Sequence, residues 1–114
     1  MKERYASRGY KNAGKDWIKL YEGPSDMDCA FVTGFMVTNT TDRNTTVESY
    51  IERNKVPFYL TAANTPLPAG SACAIAALGQ RLQVFPGEAI YVRCGHDAAA
   101  DIFLSISEIL ELNR

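Results

Sequence analysis

The chain has 114 residues, of which 46% are apolar and 22% are charged, so it fits one domain with one core. This composition excludes low-complexity disorder and a collagen-like fibre, and a net charge of −1 argues against a globally basic nucleic-acid binder. No stretch reaches the roughly 18 apolar residues of a membrane span. The first fifteen residues also lack the apolar core of a secretory signal.

The N-terminal segment differs from the rest of the chain in charge. Residues 1–15 carry five basic side chains and one acidic one, a net charge of +4 that leaves −5 for the remainder. Because no apolar periodicity accompanies this charge, we predict an extended basic arm over residues 1–16, ahead of a domain over residues 17–114. Such an arm either frays in solvent or becomes ordered on an acidic neighbouring subunit. Its candidate contact residues are Arg4, Tyr5, Arg8, Tyr10, Lys11 and Lys15.

From residue 17 onward apolar and polar residues alternate with a period of two, which is typical of half-buried strands. Eight strands are predicted, at residues 17–21, 29–38, 46–52, 56–60, 73–78, 81–85, 89–94 and 101–109. Pro57 cannot donate a hydrogen bond and therefore predicts an edge strand, and residues 65–70 predict a rigid connection. The fold class is all-β: a single antiparallel β-sandwich of about eight strands, jelly-roll-like.

Few residues offer catalytic or metal chemistry. The three cysteines are odd in number and lack close spacing, so we expect buried thiols in a reducing compartment. The turn at residues 85–90 is similar to the P-x-G turn of cupins, whose metal needs several histidines, whereas His96 is the only histidine here. We therefore expect no catalytic, cofactor-binding or metal-binding residue and no enzymatic activity.

Asn39 and Asn44 match the glycosylation acceptor pattern, which matters only in a secreted eukaryotic protein.

Four aromatic residues lie on the polar side of their predicted strands, namely Tyr50, Tyr59, Tyr91 and Phe103. Either another chain covers part of this face, or both faces of some strands are buried within one sandwich, with Phe103 the most internal of the four. On the first interpretation the outer face binds a partner through Tyr50, Tyr59, Tyr91 and Arg93.

The second half of the chain carries a recognisable order of turns and strands. It contains a PAGS turn at 68–71, a G-Q-x-L strand at 79–82, a P-G-E turn at 86–88 with a strand at 90–92, an alanine-rich loop at 98–100 and a final S-x-x-E-I at 105–109. In this order the segment resembles small structural proteins of tailed-phage virions, with a match over roughly residues 28–110. Members of that group are capsid decoration (cement) proteins or neck and tail accessories.

The resemblance implies a non-enzymatic protein that binds and stabilises a capsid shell. Its partners would be the major capsid protein and neighbouring copies of itself, as a homo-oligomer on the particle, with no nucleic acid and no membrane. Its location would be the capsid surface of a virion assembled in the bacterial host cytoplasm.

Three alternatives remain open from sequence. A neck or tail accessory would form rings and be present in few copies. A carbohydrate-binding module would use Trp17, Tyr21, Tyr50, Tyr59 or Tyr91 as sugar platforms. A metal-free, cupin-like binder of small molecules would need a closed apolar pocket.

Overall fold

The computed structural model describes residues 2–76 and 82–111, and within these ranges the regular structure is entirely β. The same residues contain no helix long and apolar enough to cross a membrane. The strands are β1 (Lys2–Ala13), β2 (Ile18–Glu22), β3 (Cys29–Thr38), β4 (Thr45–Arg53), β5 (Val56–Tyr59), β6 (Thr65–Leu67), β7 (Ala72–Ala76), β8 (Leu82–Val84), β9 (Ala89–Cys94) and β10 (Ala100–Glu111).

The strands form two antiparallel sheets that pack face to face. Sheet A has the order β1-β10-β3-β7, with β8 also on β3, and sheet B has the order β2-β9-β4-β5, with β6 also on β4. Strand β1 pairs with β10, and β2 pairs with β9. Between them in the chain, β3 pairs with β7 and β8, and β4 pairs with β5 and β6. This nested pairing is the winding of a jelly roll. The predicted antiparallel β-sandwich is therefore confirmed.

The core lies between the inner faces of the two sheets. On β4 and β9 buried residues alternate with half-buried ones, as the period-two pattern predicts. The largest side chains with almost no exposure come from both sheets and are Phe35, Leu67, Ile90, Leu104 and Ile106. Each contributes about 1.5–3 kcal/mol by leaving water, so this layer is the main source of stability.

The N-terminal segment differs from the prediction of an arm. Lys2–Ala13 is an edge strand of sheet A, paired with β10 in a regular antiparallel ladder from Glu3 opposite Ile109 to Tyr10 opposite Ile102. The sequence pattern missed this strand because its side chains stay mostly exposed: Ala13 is buried and Ala6 half-buried. Backbone hydrogen bonds, which leave no hydropathy signal, attach it to the fold.

Two further differences concern the predicted strands. Residues 65–67, predicted as part of a rigid connection, form β6, while the predicted strands 73–78 and 81–85 extend into residues 77–81, which lie outside the described ranges. Pro57 does lie in an edge strand, because β5 ends the path of sheet B. At that edge Val56 and Phe58 are about half exposed, although their alternation predicted burial.

Gly23 lies where two chain segments approach each other closely. Its N–H donates to the Glu88 carbonyl at 2.8 Å, and its own carbonyl accepts from the Gly87 N–H at 2.9 Å. A Cβ at this position would collide with the Phe85 carbonyl oxygen and lie 2.9 Å from the Met27 methyl group. Backbone atoms cannot yield to such a contact without moving the turn after β8.

Gly23→Ala is therefore expected to lower the free energy of unfolding by about 1–3 kcal/mol, through overpacking against this turn. Gly34→Ala is the matched control, since its Cβ would meet only Ser105, at an ordinary 3.8 Å. Urea unfolding of both variants measures the difference. Equal stability of Gly23→Ala and Gly34→Ala would contradict the close approach.

Candidate partner-binding surfaces

An aromatic cluster occupies the outer face of sheet B. Tyr50 on β4 lies directly opposite Tyr91 on β9 and Tyr59 on β5. The rings of Tyr50 and Tyr91 stack with centroids 4.9 Å apart, Tyr59 lies 5.7 Å from Tyr50, and Trp17 meets Tyr50 edge-on at 4.8 Å. We call these four residues the aromatic cluster. Cross-strand pairing thus brings together three aromatic residues that the sequence placed on one face.

The exposure of the cluster is uneven. Tyr59 is 59% exposed, whereas Trp17, Tyr50 and Tyr91 are half-buried among their neighbours. Burial, together with the nearby Tyr91, raises the pKa of Tyr50, so its hydroxyl stays neutral and can donate. The Arg93 guanidinium lies 4.4 Å from the Trp17 ring centroid and donates to Glu48 at 3.2 Å. The predicted outer-face residues therefore share one surface, with Tyr59 as its most accessible member.

The outer face of sheet A carries a second apolar surface. Phe103 on β10 is 55% exposed and lies opposite Met36 on β3, which is 46% exposed. Gly9 and Ala74 flank this pair on the adjacent strands. The expectation that Phe103 is internal is wrong, because Ile102 and Leu104 point into the core and the alternation turns Phe103 outward. We call Phe103 and Met36 the Phe103 patch.

The cationic side chains predicted to bind a partner mostly contact groups of their own chain. Arg4 donates to the buried Glu108 carboxylate at 2.6 Å and forms a two-bond ion pair with Asp26 at 3.0 Å. Arg8 lies over the Tyr21 ring at 5.7 Å. Lys11 donates to the Asp101 carboxylate at 2.8 Å. Their charge therefore fastens β1 to the sandwich.

The remaining residues predicted for the arm are more accessible. Tyr5 is 79% exposed and donates to Glu3 at 3.1 Å, Tyr10 is 45% exposed, and Lys15 lies exposed in the bend after β1. These three are accessible to a partner, whereas Arg4 is committed to an internal contact. No single binding arm gathers all six residues.

Glu108 is the structurally decisive residue that sequence reasoning missed. It is 3% exposed and accepts from Arg4 and from the Tyr21 hydroxyl, at 2.5 Å. Burial and this bond raise the pKa of Tyr21. The sequence does carry a signal for Glu108. It lies two residues after Ile106, on the inward side of an otherwise apolar strand, and a buried carboxylate needs a partner.

The described cysteines and the cupin-like turn have structural surroundings. Cys29 and Cys94 are buried, Cys73 is half-buried, and burial raises the pKa of Cys94 to about 11, so its thiol stays protonated. Among the residues described, no group of three His, Cys, Asp or Glu side chains could hold a metal ion. Glu88 of the cupin-like turn accepts from the Phe85 N–H at 2.8 Å and pairs with Arg53, a structural role.

Asn39, in the first glycosylation pattern, is completely buried and cannot accept a glycan in the folded state. Its amide donates to the carbonyls of Arg43 and Leu67, and its side-chain oxygen accepts from Thr41. Asn44 is exposed and accepts from the Ala69 N–H. Both side chains thus shape loops next to β4.

Comparison with solved structures supports the fold. A subunit from the Bacillus endospore appendages, described as a family of disulfide-linked pili, aligns with a TM-score of 0.53 and 13% identity over 96% of this chain and 88% of its own. A protein of the T13 IBDV viral particle aligns with a TM-score of 0.57 and 12% identity over 95% of this chain. This chain spans 31% of the length of the viral protein. At these identities the likeness is one of fold.

Searches by sequence add no family. No family model matches the chain, and no curated protein matches it either.

Arg4→Ala is expected to lower the melting temperature and to speed amide exchange in β1. The substitution leaves the Glu108 carboxylate buried with the Tyr21 hydroxyl but without its cation. Arg8→Ala is the matched control, because Arg8 covers the Tyr21 ring and donates to the exposed Ser7 carbonyl but does not compensate a buried carboxylate. The double variant Arg4→Ala/Glu108→Gln should recover part of the loss, since a neutral amide needs no counterion. Equal effects of Arg4→Ala and Arg8→Ala would contradict this assignment.

Acid is expected to loosen β1 before the core unfolds. Arg4 lowers the pKa of Asp26, and Lys11 at 2.8 Å, with the Asn12 N–H, lowers that of Asp101, both from an ordinary 3.8. Because these folded-state pKa values are depressed, the stabilisation is complete well above pH 4 and is lost as the pH falls through them.

Amide NMR spectra recorded from pH 6 to pH 2.5 measure this loosening. Signals of β1 should lose dispersion before those of β9, and Asp26→Asn/Asp101→Asn should loosen β1 already at neutral pH. Simultaneous loss of both sets of signals in the unmodified chain would contradict the expectation.

Proposed function

We propose that this chain is a non-enzymatic structural subunit of a viral particle, and specifically a phage capsid decoration protein that binds the major capsid protein. The observation that carries the proposal is the aromatic cluster, in which Tyr59 is 59% exposed beside the half-buried Tyr50. Exposed aromatic residues of this kind are the commonest energetic centres of protein interfaces. The fold likeness to a viral capsid protein and to a pilus subunit supports a role in assembly.

Two apolar surfaces on opposite outer faces suit a bridging protein. The aromatic cluster lies on sheet B, and the Phe103 patch lies on sheet A. A subunit with two such faces can contact two neighbours on a shell, and attachment at one face makes the second contact effectively intramolecular. Each contact can then be modest while the shell is still held together.

The structure changes which residues this proposal relies on. The prediction assigned shell binding to a basic arm, but Arg4 and Lys11 already pair with acidic residues of the same chain. We therefore expect the outer faces to supply most of the binding energy, through Tyr59 and its neighbours. Lys15 and Arg93 lie near the surface and would tune orientation rather than affinity.

The carbohydrate-binding alternative has weaker support. Tyr21 is 2% exposed, which excludes it as a sugar platform. The Tyr50 and Tyr91 rings stack on each other, and Arg93 covers Trp17, so much of the ring surface is already in contact within the chain. A sugar platform needs an open ring face, which Tyr59 alone in the cluster offers to a large extent.

The binder of small molecules also has weak support. Two depressions along β1 and β10, of about 340 and 370 Å³, are open to solvent rather than closed. A neck or tail accessory has the same surfaces and differs from a decoration protein in copy number. Glycan-array binding by the isolated protein, or ligand-dependent thermal stabilisation, would favour one of the two binding modules instead.

Tyr59→Ser is expected to weaken binding to shells prepared without this protein by about 2 kcal/mol, or about 30-fold in affinity. Val56→Ser is the matched control, because Val56 lies on the same strand, is 49% exposed and is outside the aromatic cluster. Cosedimentation at increasing protein concentration measures both affinities. Unchanged binding of Tyr59→Ser would overturn the assigned surface, and failure of the unmodified chain to bind would overturn the decoration role.

A further inference from the structure

One edge of sheet A is open along β1, which at 12 residues is as long as β10. Among the described strands β1 has a single neighbour, β10, and so a row of backbone N–H and C=O groups faces away from the sheet. The ladder is regular over eight residues, from Glu3 to Tyr10, and these residues are exposed except for the half-buried Ala6. An edge of this length is a template for strand addition.

Edge strands are often protected by unpaired charge, and β1 has little of this protection. Arg4 is neutralised by Asp26 and Glu108, and Lys11 by Asp101. The strand also contains no proline. Arg8 instead lies over the Tyr21 ring and donates to the Ser7 carbonyl, so its charge restricts the register in which another strand can pair.

We infer that β1 pairs antiparallel with β1 of a second copy of this chain, with Ser7 opposite Ser7. In this register Tyr5 faces Gly9, and Glu3 faces Lys11, each pair occurring twice by symmetry. An aromatic ring packs well over a glycine on the neighbouring strand, and opposite charges stabilise a cross-strand pair. The same register places Arg4 beside Tyr10, a cation–π pair.

The neighbouring registers are disfavoured by charge. Side chains directly opposite each other in an antiparallel pair point to the same face of the sheet. The two sandwiches therefore lie on the same side only when the two-fold axis passes through a residue, as it does at Ser7, and the neighbouring registers of this kind are centred on Ala6 and Arg8. Moving the centre to Ala6 brings Arg8 opposite the Arg4 guanidinium, and moving it to Arg8 brings Arg8 opposite itself, so in both registers the Arg8 charge faces a second cation. Like charges directly opposite each other destabilise a strand pair. The charge pattern of β1 therefore selects the Ser7 register.

The alternation of side chains in β1 is compatible with this joint. Arg4 and Arg8 point inward to Glu108 and Tyr21, so the odd-numbered Tyr5, Ser7 and Gly9 lie on the outer face. Pairing through Ser7 joins outer face to outer face. The two copies of sheet A then form one continuous sheet with both sandwiches on one side, an isologous interface with two-fold symmetry.

Cysteine cross-linking of the full chain tests the register. Residues directly opposite each other in an antiparallel pair have Cα atoms about 4.5–5.5 Å apart, within the range of a disulfide. Ser7→Cys should therefore give a disulfide-linked dimer under mild oxidation, several-fold above the matched control Thr33→Cys. Thr33 is exposed and borders the same outer-face depression as Ser7, but it lies on β3.

Two further variants fix the alignment. Tyr5→Cys and Gly9→Cys should each give little dimer alone and abundant dimer when mixed, because position 5 faces position 9. Self-linking of either variant above that of Ser7→Cys would overturn the register. A monomer at every concentration in analytical ultracentrifugation of the unmodified chain would overturn the pairing itself.

This inference rests on the self-association in the proposed function. The β1 pairing and the decoration role can nevertheless be disproved separately. The cross-linking experiment uses the isolated protein without any shell. Absence of the dimer with intact shell binding overturns the β1 pairing alone. A dimer that does not bind shells overturns the decoration role alone.

Discussion

The fold depends on closing its first strand onto its last. In the nested order of a jelly roll, sheet A is complete only when β1 pairs with β10. One buried carboxylate makes this closure specific: Glu108 is 3% exposed and needs a cation, which Arg4 supplies from the opposite strand while Tyr21 donates from sheet B. The apolar layer stabilises many strand arrangements, but an uncompensated buried charge penalises any arrangement in which β1 is absent. A strand with almost no apolar side chain is thereby held in a defined register.

This closure also determines what the surface can do. Because Arg4 and Lys11 balance acidic residues of their own chain, β1 presents a nearly neutral edge in place of a basic arm. Two groups of exposed apolar side chains lie on the two outer faces, the aromatic cluster and the Phe103 patch. A sandwich with two such faces and one open edge offers three separate contact surfaces, which suits a subunit that works in an assembly.

The sequence predicts those parts of the fold in which side chains alternate between core and solvent. The strands β3, β4, β9 and β10 follow from period-two patterns, and with them the two-layer architecture. Strand β1 escapes prediction because its attachment is made by backbone hydrogen bonds and one ion pair. The apolar character of the last strand predicts an internal Phe103, whereas its alternation with the buried Ile102 and Leu104 turns it outward. For the candidate surface, strand parity identified Tyr50, Tyr59 and Tyr91, whereas the roles of Trp17 and Glu108 depend on contacts between residues far apart in sequence.

The central claim is that this chain coats a shell in many copies. Quantitative mass spectrometry of purified particles from the source, with the major shell protein as internal reference, tests it most directly. The account predicts one copy per shell subunit or a simple fraction of that number. A handful of copies per particle, or complete absence from the particles, would contradict it.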